Sequence, residues 1–322
     1  MGSPHNLDAY LGDPEREEVR GGTLAFWRKG HGGVPLLLVH GWPSTRRIWV
    51  RNVANLAARG FDVIVPDLRG FGDSDYGADG LHDVVANSLD MAALLRDRLG
   101  LERVVAVGGD LGAGVIQDLS LRFPGLVDRL VIFNGPLPTV RGRMDHLAPN
   151  ERRFEDSHGF RPATEPDALL AKLATPEARL AYVAGHYRAW SPAGAFGDAD
   201  LAYLAGPFAD PGKLRASFGT YESLVEPDKR TGRSMITAND TPTLILVAMA
   251  DPTRDPAFFW HRAVIVFSHH VGPLGILSAG HFPQWEAAET VDDAIVMFCA
   301  DRLDSSSWRS RLNDASALRP EI

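Results

Sequence analysis

Val107-Gly108-Gly109-Asp110-Leu111-Gly112-Ala113-Gly114 links an apolar, β-branched run, Arg103 to Gly109, to a stretch of helical spacing, Gly112 to Phe123. A strand, sharp turn and helix in that order put one residue, Asp110, at the tip of a strained turn. Small neighbours such as Gly108 and Gly112 let the two backbones approach closely there. A carboxylate at that tip sits at a helix N-terminus, where free backbone N–H groups and the helix dipole favour negative charge. The glycines do not spell a phosphate loop, because both the Lys-Ser/Thr ending of a Walker sequence and a well-spaced dinucleotide fingerprint are missing.

Outward from this turn, Pro35 to His40, Asp62 to Asp67, Leu130 to Asn134 and Thr243 to Met249 read as further buried strands, and Leu81 to Leu99 as a helix. Strands alternating with helices predict an α/β fold with a mostly parallel sheet flanked by helices. The rhythm breaks after Gly135, and helical spacing without a convincing strand runs to about Asn239. We therefore expect a core of residues 1–135 and 240–322 with an inserted helical cap, 136–239. That segment is rich in aromatics, including Phe154, Phe160, Tyr182, Tyr187, Trp190, Phe196, Tyr203, Phe208, Phe218 and Tyr221. Most should pack the cap's own core, and one or two should face a substrate.

The 322 residues are 45% hydrophobic and 23% charged, a globular composition long enough for one core plus an insertion. A formal net charge of -8 argues against a nucleic-acid partner, which needs a basic surface. Arg46, Arg47 and Arg51 read as the solvated side of a helix. The single cysteine, Cys299, lies in an apolar run and reads as a buried thiol, which fits a reducing compartment. Met1 to Arg20 is polar, and no apolar span is long enough for a membrane, so a cytoplasmic protein is expected. Asp304 to Ile322 reads as a final helix with a polar tail.

Three further elements accompany Asp110. His40-Gly41-Trp42-Pro43 follows a strand, and the Trp42 N–H there, with that of Leu111 after the nucleophile, forms a candidate oxyanion hole; His40 itself reads as structural. Ala279-Gly280-His281-Phe282 precedes a helix near the C-terminus, and His281 is the candidate base, whereas His269 and His270 read as solvated. Asp251, just past the strand Thr243 to Met249, is the candidate acid orienting His281, with Asp255 a competitor and an ordinary turn cap the bland alternative.

With these residues in view the chain resembles the α/β-hydrolase superfamily, and its aspartate nucleophile resembles the epoxide hydrolase branch, close to the haloalkane and haloacetate dehalogenases. His40-Gly41-Trp42-Pro43, Asp67-Leu68-Arg69-Gly70-Phe71-Gly72-Asp73-Ser74 and Ala279-Gly280-His281-Phe282 look like signatures of that family in its order. The resemblance implies conversion of an epoxide to a vicinal diol through a covalent Asp110 ester, hydrolysed by water that His281 activates. An aspartate suits this chemistry, because a serine would leave an ether at a saturated carbon, whereas a carboxylate leaves a cleavable ester. The segment Tyr203 to Leu224 is similar to the one carrying a ring-opening tyrosine, which matches Tyr221. Ala184-Gly185-His186-Tyr187 is similar to a bacterial subgroup in which a histidine is the second donor, which implies His186, with Tyr182 and Tyr187 as substitutes. Trp42, Tyr187, Trp190, Phe218 and Phe282 are the candidates to face the substrate.

Some residues depart from the pattern. Leu111 stands where many members carry a tryptophan that holds halide, and it cannot hold a carboxylate as the arginine of fluoroacetate-type enzymes does. Asn134 stands where some members carry the triad's acid, which favours Asp251. A dehalogenase using the same three residues is the alternative activity, and a non-catalytic ligand-binding protein on the same fold is the alternative of another class. No cofactor and no metal are expected, since no ligand spacing for zinc is visible. The expected partner is a small-molecule epoxide, with neither nucleic acid nor membrane. Apolar cap helices are compatible with a homodimer.

Overall fold

The computed structural model describes residues 11–140, 143–144, 157–234, 237–253 and 255–303. Phe154 and the helix expected over 304–322 lie outside the described residues. Strands β1 (Glu15–Val19), β2 (Gly22–Lys29), β3 (Val34–Val39), β4 (Phe61–Pro66), β5 (Val104–Gly109), β6 (Val127–Phe133), β7 (Thr243–Ala248) and β8 (His270–Ile276) form one sheet in the order β1-β2-β4-β3-β5-β6-β7-β8. From β3 to β8 every pairing is parallel, while β1 and β2 run antiparallel at one edge. Strands β4, β5 and β7 are buried along their whole length, as continuous apolar runs covered on both faces require.

The chain steps from β3 outward to β4 and then returns to place β5 on the other side of β3. At such a reversal the loops leaving neighbouring strands diverge and open a crevice at the carboxyl ends of the strands. His40-Gly41-Trp42 leaves β3 and Asp110 leaves β5 at this point. Helix Leu111–Arg122 packs against Val84–Ala92, and Val53–Ala58 against Ala288–Phe298. Between β6 and β7 the described elements are helical, namely Phe160–Thr164, Pro166–Lys172, Pro176–Ala189, Asp198–Ala205 and Pro211–Val225, with short 3-10 turns.

Two elements go beyond the sequence reading, and one expectation is overturned. The β1–β2 hairpin begins in the polar N-terminal stretch and runs on to Lys29, and its turn is Arg20-Gly21, both at positive φ (45° and 81°). Two such residues suit the twist of a tight hairpin, and the Arg20 guanidinium, bonded to Asp90 at 2.9 Å and to the Ala86 carbonyl at 3.1 Å, anchors the turn to a helix. His269 and His270 are exposed, in line with the solvated reading, and His270 opens β8, a strand that the sequence reading did not include. Arg46, Arg47 and Arg51 are not a solvated helix face. Arg46 is buried between Asp67 and Asp73, Arg47 donates to the Tyr203 carbonyl at 2.9 Å, and Arg51 lies over the Trp285 ring at 3.9 Å. Cys299 is buried, and burial raises its thiol pKa to about 12.

The turn at Asp110 depends on close packing against β3. A Cβ on Gly112 would meet the Val39 carbonyl oxygen at 2.4 Å and that of His40 at 2.7 Å. Gly112→Ala is therefore expected to cost about 1–3 kcal/mol. Gly185, whose Cβ would meet nothing within 4 Å in helix Pro176–Ala189, is the control, and Gly185→Ala should be neutral or stabilising by up to roughly 1 kcal/mol. Urea midpoints of the two variants that fall together would contradict this packing.

Candidate active site

Asp110 caps the N-terminus of helix Leu111–Arg122 with φ 49° and ψ −128°, a conformation that side chains rarely adopt. The turn is closed by Ala113 and Gly114 N–H groups, which donate to the Asp110 carbonyl at 3.1 and 3.4 Å. This geometry leaves the carboxylate part-exposed above the sheet, where the Trp42 N–H donates to Asp110 Oδ1 at 2.9 Å. Leu111 is buried as the first residue of the helix, where backbone N–H groups have no intrahelical acceptor.

His281 and Asp251 arrive from the carboxyl-end loops of β8 and β7. His281 Nδ1 bonds Asp251 Oδ2 at 2.8 Å, and its Nε2 stands 3.5 Å from Asp110 Oδ2, an ion-pair distance longer than a good hydrogen bond. Asp251 also accepts from Thr253 N and Oγ1 at 2.8 and 2.7 Å, so its carboxylate is bonded on both oxygens. Burial alone would make the Asp251 carboxyl harder to ionise, but His281 and Thr253 outweigh it and its pKa falls. For His281, burial opposes the imidazolium, and the two flanking carboxylates outweigh that, raising its pKa to about 9. Asp255, the competitor for the acid, caps helix Pro256–Val266 by accepting from the Ala257 N–H at 2.9 Å.

Three residues hold His281 in place: Glu286, which the sequence analysis passed over, and Asn134 and Trp190 in roles it did not give them. Glu286, one helical turn on, accepts from Gly280 N at 2.5 Å and Phe282 N at 2.9 Å, so it grips the loop on both sides of the histidine. The Asn134 side chain donates to the Gly280 and His281 carbonyls, each at 3.3 Å, and accepts from Ala248 N at 3.4 Å, tying that loop to β7. The His281 N–H donates to the Trp190 carbonyl at 2.8 Å, a contact with the segment between β6 and β7. A Cβ on Gly280 would meet that same carbonyl oxygen at 2.5 Å, so the glycine makes this approach feasible. Glycine spacing around a histidine was visible in the sequence, but Glu286 and Asn134 act through backbone atoms whose positions no spacing reveals.

The Trp42 ring connects Asp110 to the aromatics of the inserted segment. Its indole N–H donates to Ser217 Oγ at 3.0 Å, and its ring meets those of His186 (4.9 Å), Tyr221 (5.3 Å), His158 (5.7 Å), Trp190 (5.9 Å) and Tyr182 (6.4 Å). Tyr221 Oη lies 3.0 Å from His158 Nε2. A cavity of about 320 Å³ adjoins this group, lined by His158, Phe160, Tyr182 and His186 among others. His186 Nδ1 bonds the Tyr182 carbonyl at 2.9 Å, and burial lowers the pKa of its ring. A neutral His186 so bonded carries its hydrogen on Nδ1 and presents Nε2 as an acceptor, so donation to a substrate from Nε2 requires the imidazolium that burial disfavours.

Trp190 and Phe282 both stand edge-on to the His281 ring, at 5.0 Å each. Tyr187 and Phe218, expected to face the substrate, are instead fully buried. Tyr187 gives its hydroxyl to the Pro43 carbonyl at 2.9 Å, and Phe218 packs on Tyr182. His40 is structural in its bonds, with Nδ1 on the Gly41 carbonyl and Nε2 accepting from Leu68 N. Among the described residues there is no cluster of His, Cys, Asp and Glu able to hold a metal, and no helix long and apolar enough to cross a membrane.

A family model of the alpha/beta hydrolase fold matches residues 34–288. A soluble epoxide hydrolase of Corynebacterium sp. (strain C12) is 28% identical over 273 residues, 83% of this chain and 91% of that protein. Of solved structures, the epoxide hydrolase of Vigna radiata aligns with TM-score 0.74 at 21% identity, covering 91% of this chain and 99% of that one. A mutant of potato epoxide hydrolase aligns with TM-score 0.76 at 20% identity, covering 90% and 99%. At these identities the structural likeness carries the fold.

The raised pKa of His281 has a thermodynamic sign. Its contribution to stability is fully present below its ordinary value of 6.5 and is lost as the pH rises through about 9. The urea midpoint of the wild-type protein should fall over that window relative to His281→Gln, which has nothing to titrate there. Parallel pH profiles for the two proteins would contradict the charge pairing.

Proposed function

The chain belongs to the alpha/beta hydrolase fold family, and we propose that within it the protein is an epoxide hydrolase that works through a covalent ester on Asp110. The observation that carries this reading is a carboxylate, not a hydroxyl, at the turn after β5, facing His281 Nε2 at 3.5 Å and the Trp42 N–H at 2.9 Å. The 28% identical soluble epoxide hydrolase, aligned over 83% of this chain, supports the same substrate class.

In the first step Asp110 attacks an epoxide carbon, the C–O bond breaks, and the departing oxygen takes the Tyr221 phenol proton. Tyr221 is buried against the Trp42 ring, which stands beside Asp110, and this placement suits the role. Esterification removes the negative charge of Asp110, one of the two that hold His281 as an imidazolium. The His281 pKa then falls, its proton returns to the Tyr221 oxygen, and the neutral imidazole becomes available as a base. Formation of the ester thus prepares the histidine for the second step.

In that step His281 takes a proton from water, and the hydroxide attacks the Asp110 carbonyl carbon. The oxyanion is held by the Trp42 and Leu111 N–H groups. Collapse expels the diol, whose alkoxide takes the proton back from His281, and the newly formed Asp110 carboxylic acid then gives its own proton to His281. Asp110 is again a carboxylate and His281 again an imidazolium. One epoxide and one water become one vicinal diol. Asp251 keeps the imidazole oriented, and residues 136–239 act as the cap that shapes the pocket, with Trp190 and Phe282 on its wall. The buried thiol of Cys299 agrees with a cytoplasmic setting.

Blocking the base should trap the ester. His281→Gln protein incubated with a panel of epoxides is expected to gain the whole mass of one epoxide, on the peptide bearing Asp110, by intact and peptide mass spectrometry. A gain equal to substrate minus hydrogen halide, seen only with haloalkanes or fluoroacetate, would make the protein a dehalogenase. No adduct, with no turnover by the wild-type protein, would contradict the reading and favour a binding protein.

A further inference from the structure

The cavity of about 320 Å³ beside the Trp42 ring carries two polar groups that the two chemical steps do not use. The first is the Tyr182 hydroxyl. Helix Pro176–Ala189 presents Tyr182 and His186 one turn apart on one face, and the Tyr182 ring packs on those of His186 (4.7 Å), Trp42 (6.4 Å) and Phe218 (6.4 Å). Its hydroxyl nonetheless bonds to no described residue, whereas that of Tyr187 on the same helix is taken up by the Pro43 carbonyl. Burial raises the Tyr182 pKa to about 12, so the group stays a donor.

The second is the Arg161 guanidinium, exposed on helix Phe160–Thr164 and lining the same cavity. Its charge reaches Tyr182, where it eases ionisation against the effect of burial. Arg46, Arg69 and Arg215 each hold two carboxylates, but Arg161 makes no ion pair or hydrogen bond with a described residue. Water satisfies an exposed arginine, so its freedom alone decides nothing. What singles it out is its place on a cavity wall with a second unbonded donor. No carboxylate stands among the described residues of that wall, which is thus locally positive on a chain of net charge -8.

The geometry points to an epoxide bearing a carboxylate as the substrate class, selected by Arg161 and Tyr182, an inference that rests on the epoxide hydrolase reading above. A carboxylate accepts hydrogen bonds, and a guanidinium and a phenol supply them. One guanidinium balances one carboxylate, whereas a phosphate dianion would keep a charge uncompensated. The rings of Tyr182 and His186 meet that of Trp42, whose backbone N–H is on Asp110, while Arg161 lies toward solvent. The epoxide therefore enters first and the carboxylate stays at the mouth, with the spacer along Phe160 and Leu169. Ligand sites span roughly 300–1,000 Å³, so this small cavity suits a short spacer and not a long acyl chain.

A short ω-epoxy carboxylate and its primary amide, of the same shape without the charge, isolate the contribution of the carboxylate. Wild-type kcat/KM should favour the carboxylate roughly tenfold, as one charge-assisted pairing at a rim allows, with the difference in KM because the contact lies away from the reacting atoms. Added salt should shrink the preference, since Arg161 is exposed. Arg161→Gln should bring the two substrates level, and Tyr182→Phe should narrow the gap by less. Arg161→Glu should shift the preference to a matching ω-epoxy amine. Equal kcat/KM for carboxylate and amide, or a preference that survives Arg161→Gln, would overturn the inference while leaving the function standing. Turnover of neutral epoxides without turnover of the carboxylate would do the same. A wild-type protein that forms no ester with any epoxide would overturn both.

Discussion

The negative charge of Asp110 is carried on a backbone that a side chain seldom occupies, at φ 49°, and the site is built around keeping it there. Such a conformation costs about 1–3 kcal/mol and persists only where its surroundings over-determine it. Parallel pairing of β5 with β3 and β6 fixes the strand that enters the turn, and helix Leu111–Arg122 packs too close to β3 for any residue larger than glycine at Gly112. The same β3 ends at Gly41-Trp42, so the strand that permits the turn also delivers the N–H that meets the carboxylate. Fold and chemistry share one constraint.

A second dependence follows from the charge. A carboxylate, an imidazole and a second carboxylate stand in line, and His281 and Asp251 are almost wholly enclosed, each with about 1% of its side chain exposed. Because burial opposes each ionised group, the arrangement holds only while all three are aligned. Alignment is entrusted to the loop Ala279 to Phe282. Glu286 and Asn134 grip it from within the sheet-and-helix body, and the Trp190 carbonyl accepts the His281 N–H from the inserted helices. The inserted helices thus also restrain His281.

How much of this was legible in the sequence depended on where the information lies. The central strands were readable because burial on both faces demands continuous apolar runs, and the turns bearing Asp110 and His281 were readable because close approach demands glycine beside them. Strand β8 was not, since an edge strand tolerates Pro273 and two glycines and is half exposed. The β1–β2 hairpin hid because Arg20 takes a place where Asn or Gly is usual, held by a bond to Asp90 from a distant helix. Arg46, Arg47 and Arg51 looked solvated because their carboxylates and rings come from distant parts of the chain. Tyr221 was visible through its resemblance to a known segment, whereas His158, met only through folding of the insertion, was not.

The central claim is that Asp110, and not water, forms the new bond to the substrate carbon. A single turnover of excess wild-type protein on an epoxide in water enriched in ¹⁸O tests it most directly. The account predicts an unlabelled diol, because its new oxygen comes from the Asp110 carboxylate, and one heavy oxygen in the peptide carrying Asp110. A diol already labelled in that first turnover, with an unlabelled Asp110 peptide, would mean that water attacks the epoxide itself and would contradict the account.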